Sequence, residues 1–240
     1  MLPLVTYESS SDSEGSDNEA SSSTMPPLPN FFSPVEKKED PSKHQGRIRT
    51  KPHIENSWAT YVYVEVPVSD EVRNMVQPMI SNEIHSMIQD GNNLHVSLSR
   101  CIFLKEHQLE MFAQTIRDHV TQDASFNISF AQVSILTNDE KTRSFITTEI
   151  GEGYNELLGL LKSVDTVMEK LRLPVFYKPA RFHASVAWSL SESLLEEAIG
   201  SIPTMIMDDL NTIRHLVSKL MIKMGNRIVE VPLSSSKWVS

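Results

Sequence analysis

The sequence predicts an α+β protein in which two antiparallel sheets face a shared groove. Three observations lead there. Stretches alternating apolar and polar residues are interleaved with stretches of helical spacing, in the order strand, helix, strand, helix, two strands, helix, strand, helix, hairpin. Short polar or glycine turns join neighbouring strands, which favours antiparallel pairing. The chain also falls into two similar halves, each with helices and one strand carrying a His-x-Ser triplet.

Order is expected from about Ser57. Trp58–Val66 (WATYVYVEV) alternates aromatic and β-branched residues and reads as a strand. Ser69 is placed to cap a helix running to about Gln89, with a bend at Pro78. Leu94–Arg100 (LHVSLSR) alternates again. Lys105–Val120 carries Leu109, Phe112, Ile116 and Val120 on one helical face. Two strands follow, Phe126–Leu136 and Arg143–Ile150, joined by the polar turn Thr137–Thr142. Gly153 precedes a helix to about Leu171, with Leu157, Leu161, Val164 and Met168 aligned. Phe182–Trp188 (FHASVAW) reads as a strand and Ser191–Ile199 as a short helix. Leu216–Met224 and Arg227–Pro232 flank Gly225-Asn226, a hairpin signal.

The first 52 residues are different in kind. Residues 8–24 are Ser and acid with almost nothing apolar, and four prolines follow before residue 35. Such a stretch buries too little surface to offset its ordering entropy, so 1–52 is expected to be a disordered tail and 53–240 the folded domain. Its Ser/acid composition resembles phosphorylation sites, although a solvated tail suffices. Lys37, Lys38, Lys43, Arg47, Arg49 and Lys51 make a basic linker that fits a nuclear-import signal or a soluble spacer equally well.

The net charge is −9, and the folded part is itself acidic, so no global field draws in long duplexes. Small or single-stranded substrates stay open. One cysteine, Cys101, excludes an internal disulfide and a Cys-built zinc site, and the chain reads as intracellular. No apolar run is long enough to span a membrane, and the N-terminus lacks the form of a secretory signal.

The chemistry is carried by two triplets, His95-Val96-Ser97 and His183-Ala184-Ser185, each set as apolar-His-apolar-Ser-apolar. In a strand, residues i and i+2 share a face, so each triplet aims an imidazole and a hydroxyl at one surface. One such pair alone would read as a core histidine with its partner; the matched pair reads as a site. His119-Val120-Thr121 has the same spacing but falls at a helix end, where the imidazole suits the C-terminal dipole. Two imidazoles across a groove can divide general base and general acid roles near neutral pH, and hydroxyls can donate to phosphate oxygens. In RNA, one ring would take the 2′-OH proton and the other protonate the departing 5′ oxygen, leaving a 2′,3′-cyclic phosphate. No His-Glu-x-x-His or Gly-rich phosphate loop is present, and a Ser-His-Asp hydrolase needs one activated serine rather than two His/Ser pairs.

The paired His-x-Ser strands resemble the 2H phosphoesterases, a superfamily named for two His-x-Ser/Thr motifs. The likeness extends to Ser57-Trp58-Ala59-Thr60, LHVSLSR, the turn Asn138–Arg143 before Ser144-Phe145-Ile146, Phe176-Tyr177, FHASVAW and Gly225-Asn226, covering roughly 56–235. Within the superfamily it narrows to 3′–5′ exoribonucleases that trim the oligouridine end of U6 small nuclear RNA. The resemblance implies a two-lobed fold with two antiparallel sheets flanking a central groove and helices outside. It implies His95 and His183 as the catalytic pair, Ser97 and Ser185 as phosphate-binding hydroxyls, and Tyr177 as a platform for a nucleobase. Arg181 is expected to line the groove, where a phosphate contact, packing or solvent exposure all fit the sequence. Asn138 and Asp139 are expected to rim the base site, Asp139 standing where the family carries an amide. No metal or cofactor, a monomer and a nuclear setting complete the expectation. Two alternatives stay open: an RNA-ligase-like enzyme that only opens 2′,3′-cyclic ends, and a non-catalytic module that holds RNA 3′ ends.

Overall fold

In the computed structural model of this protein the described residues are 55–88, 93–121 and 123–234. The expectations for the 1–52 tail lie outside them. Strand β1 is Trp58–Val66, as its alternation predicts, and Thr60, Val62, Val64 and Val66 are fully buried. Ser69 caps helix α1 (Asp70–Val76), its hydroxyl accepting from the Val72 amide at 3.4 Å.

The helix expected to reach Gln89 stops at Val76. Pro78 has no N–H and its ring crowds the preceding turn, so the chain tightens into a 3-10 turn at Gln77–Met79 and leaves extended at Ile80. A two-residue strand follows, β2 (His85–Ser86). Strand β3 is Leu94–Ser97, shorter than its alternation suggests. The Ser99 hydroxyl accepts from the Val62 amide at 2.8 Å, a side chain taking the place of a main-chain ladder bond. Ile102–Leu104 forms β4, too short to leave a pattern, and pairs with the start of β1.

Helix α2 (Glu106–Val120) buries Leu109, Phe112, Ile116 and Val120, the predicted face, and Gln108 bonds back to the Lys105 amide at 2.8 Å. His119 sits in its last turn, Nδ1 against the Thr115 carbonyl at 2.8 Å. The single strand expected over Phe126–Leu136 is divided at Ser129 into β5 (Phe126–Ile128) and β6 (Phe130–Thr137). Ser129 bonds to Glu152 and Gly151 instead, which turns the chain from one sheet to another.

Strand β7 (Ser144–Ile150) pairs with β6 across the predicted turn. Helix α3 (Tyr154–Lys170) starts behind Gly153, whose φ of +82° and close approach to Asn127 leave no room for a side chain. Strand β8 is His183–Ser189 and α4 is Glu192–Gly200. Helix α5 (Thr204–Thr212) has no counterpart in the expected elements. The single strand expected over Leu216–Met224 is divided at Ser218, its start falling in β9 (His215–Val217), which pairs with β5 in a two-stranded sheet of its own. Strands β10 (Lys219–Met224) and β11 (Arg227–Pro232) close on Gly225-Asn226, with Gly225 at φ +59° packed under Trp58.

The class is α+β, as read, with a large antiparallel sheet. Its order is β11-β10-β1-β3-β8-β7-β6, with β4 beside β1 and β2 beside β8 making nine strands. The two halves of the chain were expected to supply separate sheets. They are one sheet here, because β3 and β8 meet edge to edge through the pair Val96↔Ala184. Both residues are fully buried, so this junction is a core contact. Among the described residues no helix is long and apolar enough to cross a membrane.

Candidate active site

The junction of β3 and β8 sets the site. With Val96 opposite Ala184 in an antiparallel pair, Ser97 falls opposite His183 and His95 opposite Ser185. All four are half-buried while their neighbours Leu94, Val96, Leu98, Phe182, Ala184 and Val186 are buried. One face of the sheet therefore presents two imidazoles on one diagonal and two hydroxyls on the other. Diagonal neighbours in such a pair lie about 7–8 Å apart, a spacing into which one phosphate fits.

The histidines are held differently. The His183 Nδ1 faces the Arg181 carbonyl at 2.8 Å. A carbonyl only accepts, so Nδ1 carries the proton and Nε2 keeps its lone pair when the ring is neutral. His95 packs among aromatic rings, its centroid 5.7 Å from Tyr63 in an edge-on contact and 6.2 Å from Tyr61. Burial pushes the Tyr63 hydroxyl up to about 12, assisted by the charge of Glu65, so it stays protonated.

Both imidazoles are less basic than an ordinary histidine. Burial depresses His95 first, and positive charge on His183 and Lys223 adds to it. Burial also depresses His183, with the Arg181 carbonyl opposing and the Arg181 charge assisting. Two coupled rings favour sharing one proton, which is the state acid–base catalysis needs. Since both values lie below 6.5, that state is lost as pH rises. We expect kcat/KM to peak on the acid side of 6.5 and to fall through neutral pH, read from a pH–rate profile on an RNA oligomer. Stability should move the opposite way, declining as pH drops below 6.5, because the unfolded rings bind protons more readily.

A groove of about 660 Å³ opens beside His183, lined among others by Ser97, Ser185, Arg100, Asp139, Tyr177 and Arg181. His95 does not line it; it stands on the far side of the diagonal. Tyr177 is 41% exposed, and its hydroxyl donates to Asp139 Oδ2 at 2.7 Å. The guanidinium of Arg100 lies 4.0 Å over one ring face, and Phe176 meets the ring edge-on. The bond to Asp139 fixes the tilt of the ring, and a planar group stacking on the face that Arg100 covers would take the place of that guanidinium.

Arg181 lines the groove but spends its charge on Glu149. Its Nε lies 3.1 Å from Glu149 Oε1, a second guanidinium nitrogen bonds the same oxygen, and Nη2 reaches Ser134 Oγ at 3.2 Å. Burial alone would raise Glu149, yet hydrogen bonds from Arg181, Ser134 and Gln132 hold it at about 2. Glu149 stands opposite His183 on β7. The pair therefore braces the residue whose carbonyl orients His183. Asn138 borders the groove, but its amide is used within the turn: Nδ2 donates to Glu140 and Thr142, and Oδ1 accepts from the Thr142 and Arg143 amides at 2.8 and 3.0 Å. Its influence on a bound base runs through the shape of that turn.

Arg100, Glu149, Tyr61, Tyr63 and Lys223 lie at or beside the site without being among the residues expected from sequence. Arg100 had a signal, since it ends LHVSLSR just beyond the second hydroxyl. Glu149 had only its place two residues into an ordinary strand end.

Two complete His-x-Ser strands side by side in one antiparallel sheet, with an adjoining groove, define a 2H phosphoesterase. Solved structures agree on the fold. Kluyveromyces marxianus Usb1 with uridine monophosphate superposes with a TM-score of 0.54 at 19% identity, covering 74% of this chain and 99% of that one. Escherichia coli LigT complexed with 3′-AMP gives 0.51 at 12% identity, covering 74% and 96%. The HVSL family, described as an uncharacterised conserved protein, matches residues 26–232, and the tetrapeptide itself stands here as His95–Leu98. The chain belongs to the HVSL family, and its curated relatives are U6 snRNA phosphodiesterases. The Drosophila melanogaster U6 snRNA phosphodiesterase 1 is 33% identical over 79% of this chain and 75% of its own length. The Homo sapiens protein of that name is 31% identical over 81% and 77%.

Proposed function

We propose that this protein is a 3′–5′ exoribonuclease that trims the oligouridine end of U6 snRNA by transesterification. The observation that carries the reading is the Val96↔Ala184 junction, which sets both histidines and both serines around one point. The relatives' shared name supplies the substrate.

The scissile phosphate sits between the diagonal imidazoles. One ring takes the proton of the 2′-OH on the penultimate ribose. That oxygen forms a bond to phosphorus as the bond to the 5′ oxygen of the last nucleoside breaks. The other ring gives its proton to the departing oxygen. The products are a free nucleoside and an RNA ending in a 2′,3′-cyclic phosphate. Ser97 and Ser185 donate to the non-bridging oxygens as charge develops, and no step calls for a metal. The last nucleoside occupies the groove with its base on Tyr177, a contact worth about 1–3 kcal/mol. Arg181, bound to Glu149, holds His183 through its carbonyl rather than gripping phosphate itself. The elements from Trp58 to Pro232 support 53–240 as the catalytic domain. We assign it to the nucleus, where the relatives' substrate is a spliceosomal RNA, and take it to act as a monomer, the site needing no residue from a second copy.

The test is mass analysis of RNA ends after digestion in EDTA of two uridine oligomers, one with a free 3′-diol and one already cyclised. Shortening of the diol oligomer to a cyclic or 3′-phosphate end is expected. Ring opening without shortening would place the protein with the cyclic phosphodiesterases, and binding without either product would make it an RNA 3′-end holder. Activity lost in EDTA and restored by Mg²⁺ would overturn the mechanism.

A further inference from the structure

If the last nucleoside fills the groove beside His183, the RNA upstream of the scissile phosphate must lie on the other side of the diagonal, beside His95. The protein there is the face shared by β3, β1 and β10. Cross-strand pairs define it: Glu65↔His95, Tyr63↔Ser97, Tyr61↔Lys223 and Lys223↔Ile228. The alternate residues Val62, Val64, Leu220 and Ile222 are buried on the opposite face, so Tyr61, Lys223 and Ile228 belong to the surface that carries the catalytic imidazole. Ile228 is 49% exposed, which shows this side of the sheet to be open.

The chemistry of that face suits a nucleotide. The rings of Tyr61 and Tyr63 lie 5.4 Å apart and each meets His95, at 6.2 and 5.7 Å, so the three form one aromatic cluster. Tyr63 is buried, leaving Tyr61 as the more accessible tyrosine of the cluster. Two lysines extend from β10 on this side. Lys219 is neutralised by Glu230 at 2.9 Å, whereas no ion pair among the described residues engages Lys223. An uncompensated ammonium next to a half-buried aromatic ring, continuous with a phosphate-cleaving site, matches a phosphate followed by a base.

We propose that this face is a second nucleotide subsite: Lys223 pairs with the phosphate on the 5′ side of the penultimate nucleotide, and Tyr61 supports that nucleotide's base. The inference rests on the groove being the site of the last nucleoside. It explains how an acidic domain grips RNA, through one placed charge rather than a basic surface.

The test compares kcat/KM for UpU, which has only the scissile phosphate, with UpUpU, whose first cleavage leaves one phosphate upstream. Taking the ratio cancels any influence of Lys223 on His95, because that influence acts on both substrates. Lys223→Gln is expected to lower the UpUpU-to-UpU ratio about 5-fold or more and to flatten the salt dependence of the longer substrate by roughly one phosphate contact. Lys223→Arg should restore the ratio. Tyr61→Leu should leave that ratio unchanged, because UpU already carries the penultimate base. It should instead abolish the preference for UpU over the same dimer lacking that base, while Tyr61→Phe, which keeps the stacking face, should retain it. A ratio untouched by Lys223→Gln, with both rates moved together, would overturn the subsite and leave the exonuclease reading standing. Wild-type protein that shortens neither oligomer would overturn the functional reading, and the subsite with it.

Discussion

Replacing His95 or His183 with alanine should lower the rate of nucleotide release at least about 10²-fold, the range in which a positioned general acid or base contributes. Each ring faces the groove side of the sheet, and the core contact at the β3–β8 junction is made by Val96 and Ala184. The substitutions should therefore leave the fold in place, which circular dichroism and a thermal melt would verify. The imidazoles act on one proton inventory, so the double substitution should cost little more than the worse single one. Single-turnover rates on a uridine-ended oligomer read all three. Near-wild-type trimming by His183→Ala would remove the basis of the mechanism. The same rate from the double variant as from wild type would reduce the groove to a binding surface.

A 2′-deoxy sugar at the penultimate position should block release of the last nucleoside altogether. In the proposed reaction the attacking oxygen is the RNA's own 2′-OH, held next to one imidazole, so the deoxy sugar removes the nucleophile. A 2′-deoxy sugar at the last position alone should be removed normally, since that hydroxyl takes no part in bond making. The two oligomers differ by the location of a single oxygen, so binding differences are small and end-group mass spectrometry gives a direct answer. Continued cleavage of the penultimate deoxy oligomer would mean attack by water, and the end group would then be a plain 3′-phosphate from the first turnover.

Much of the fold could be read from local patterns. The alternation of WATYVYVEV and the spacing of Leu109, Phe112, Ile116 and Val120 each report on a face that must be buried, and both became core. The errors share a cause. The helix after Ser69 was read through Pro78 as a bend, although the ring ended it. Strands β2, β4 and β9 hold two or three residues, fewer than any periodicity needs; β2 and β4 exist because a longer neighbour offers its edge, and β9 pairs with the equally short β5. Helix α5 follows Pro203 with one buried anchor among its described side chains, Leu210, too little for a pattern.

The candidate site divides the same way. That His95 and Ser97 share a face, and His183 and Ser185 another, follows from the two-residue repeat of an extended chain. The same holds for the turn after Thr137 and the glycine at 225, whose positive φ the residue type announces. Partnerships across the fold do not follow from such rules. The joining of two sheets at Val96 and Ala184, the Glu149 carboxylate that claims Arg181, and Arg100 lying over Tyr177 each unite residues far apart in the chain. Backbone periodicity is a local property of a few consecutive residues, whereas these contacts arise where separate elements compete to bury surface and satisfy charge. Which residues are candidates for the chemistry was thus written along the chain; how they face one another was settled by packing.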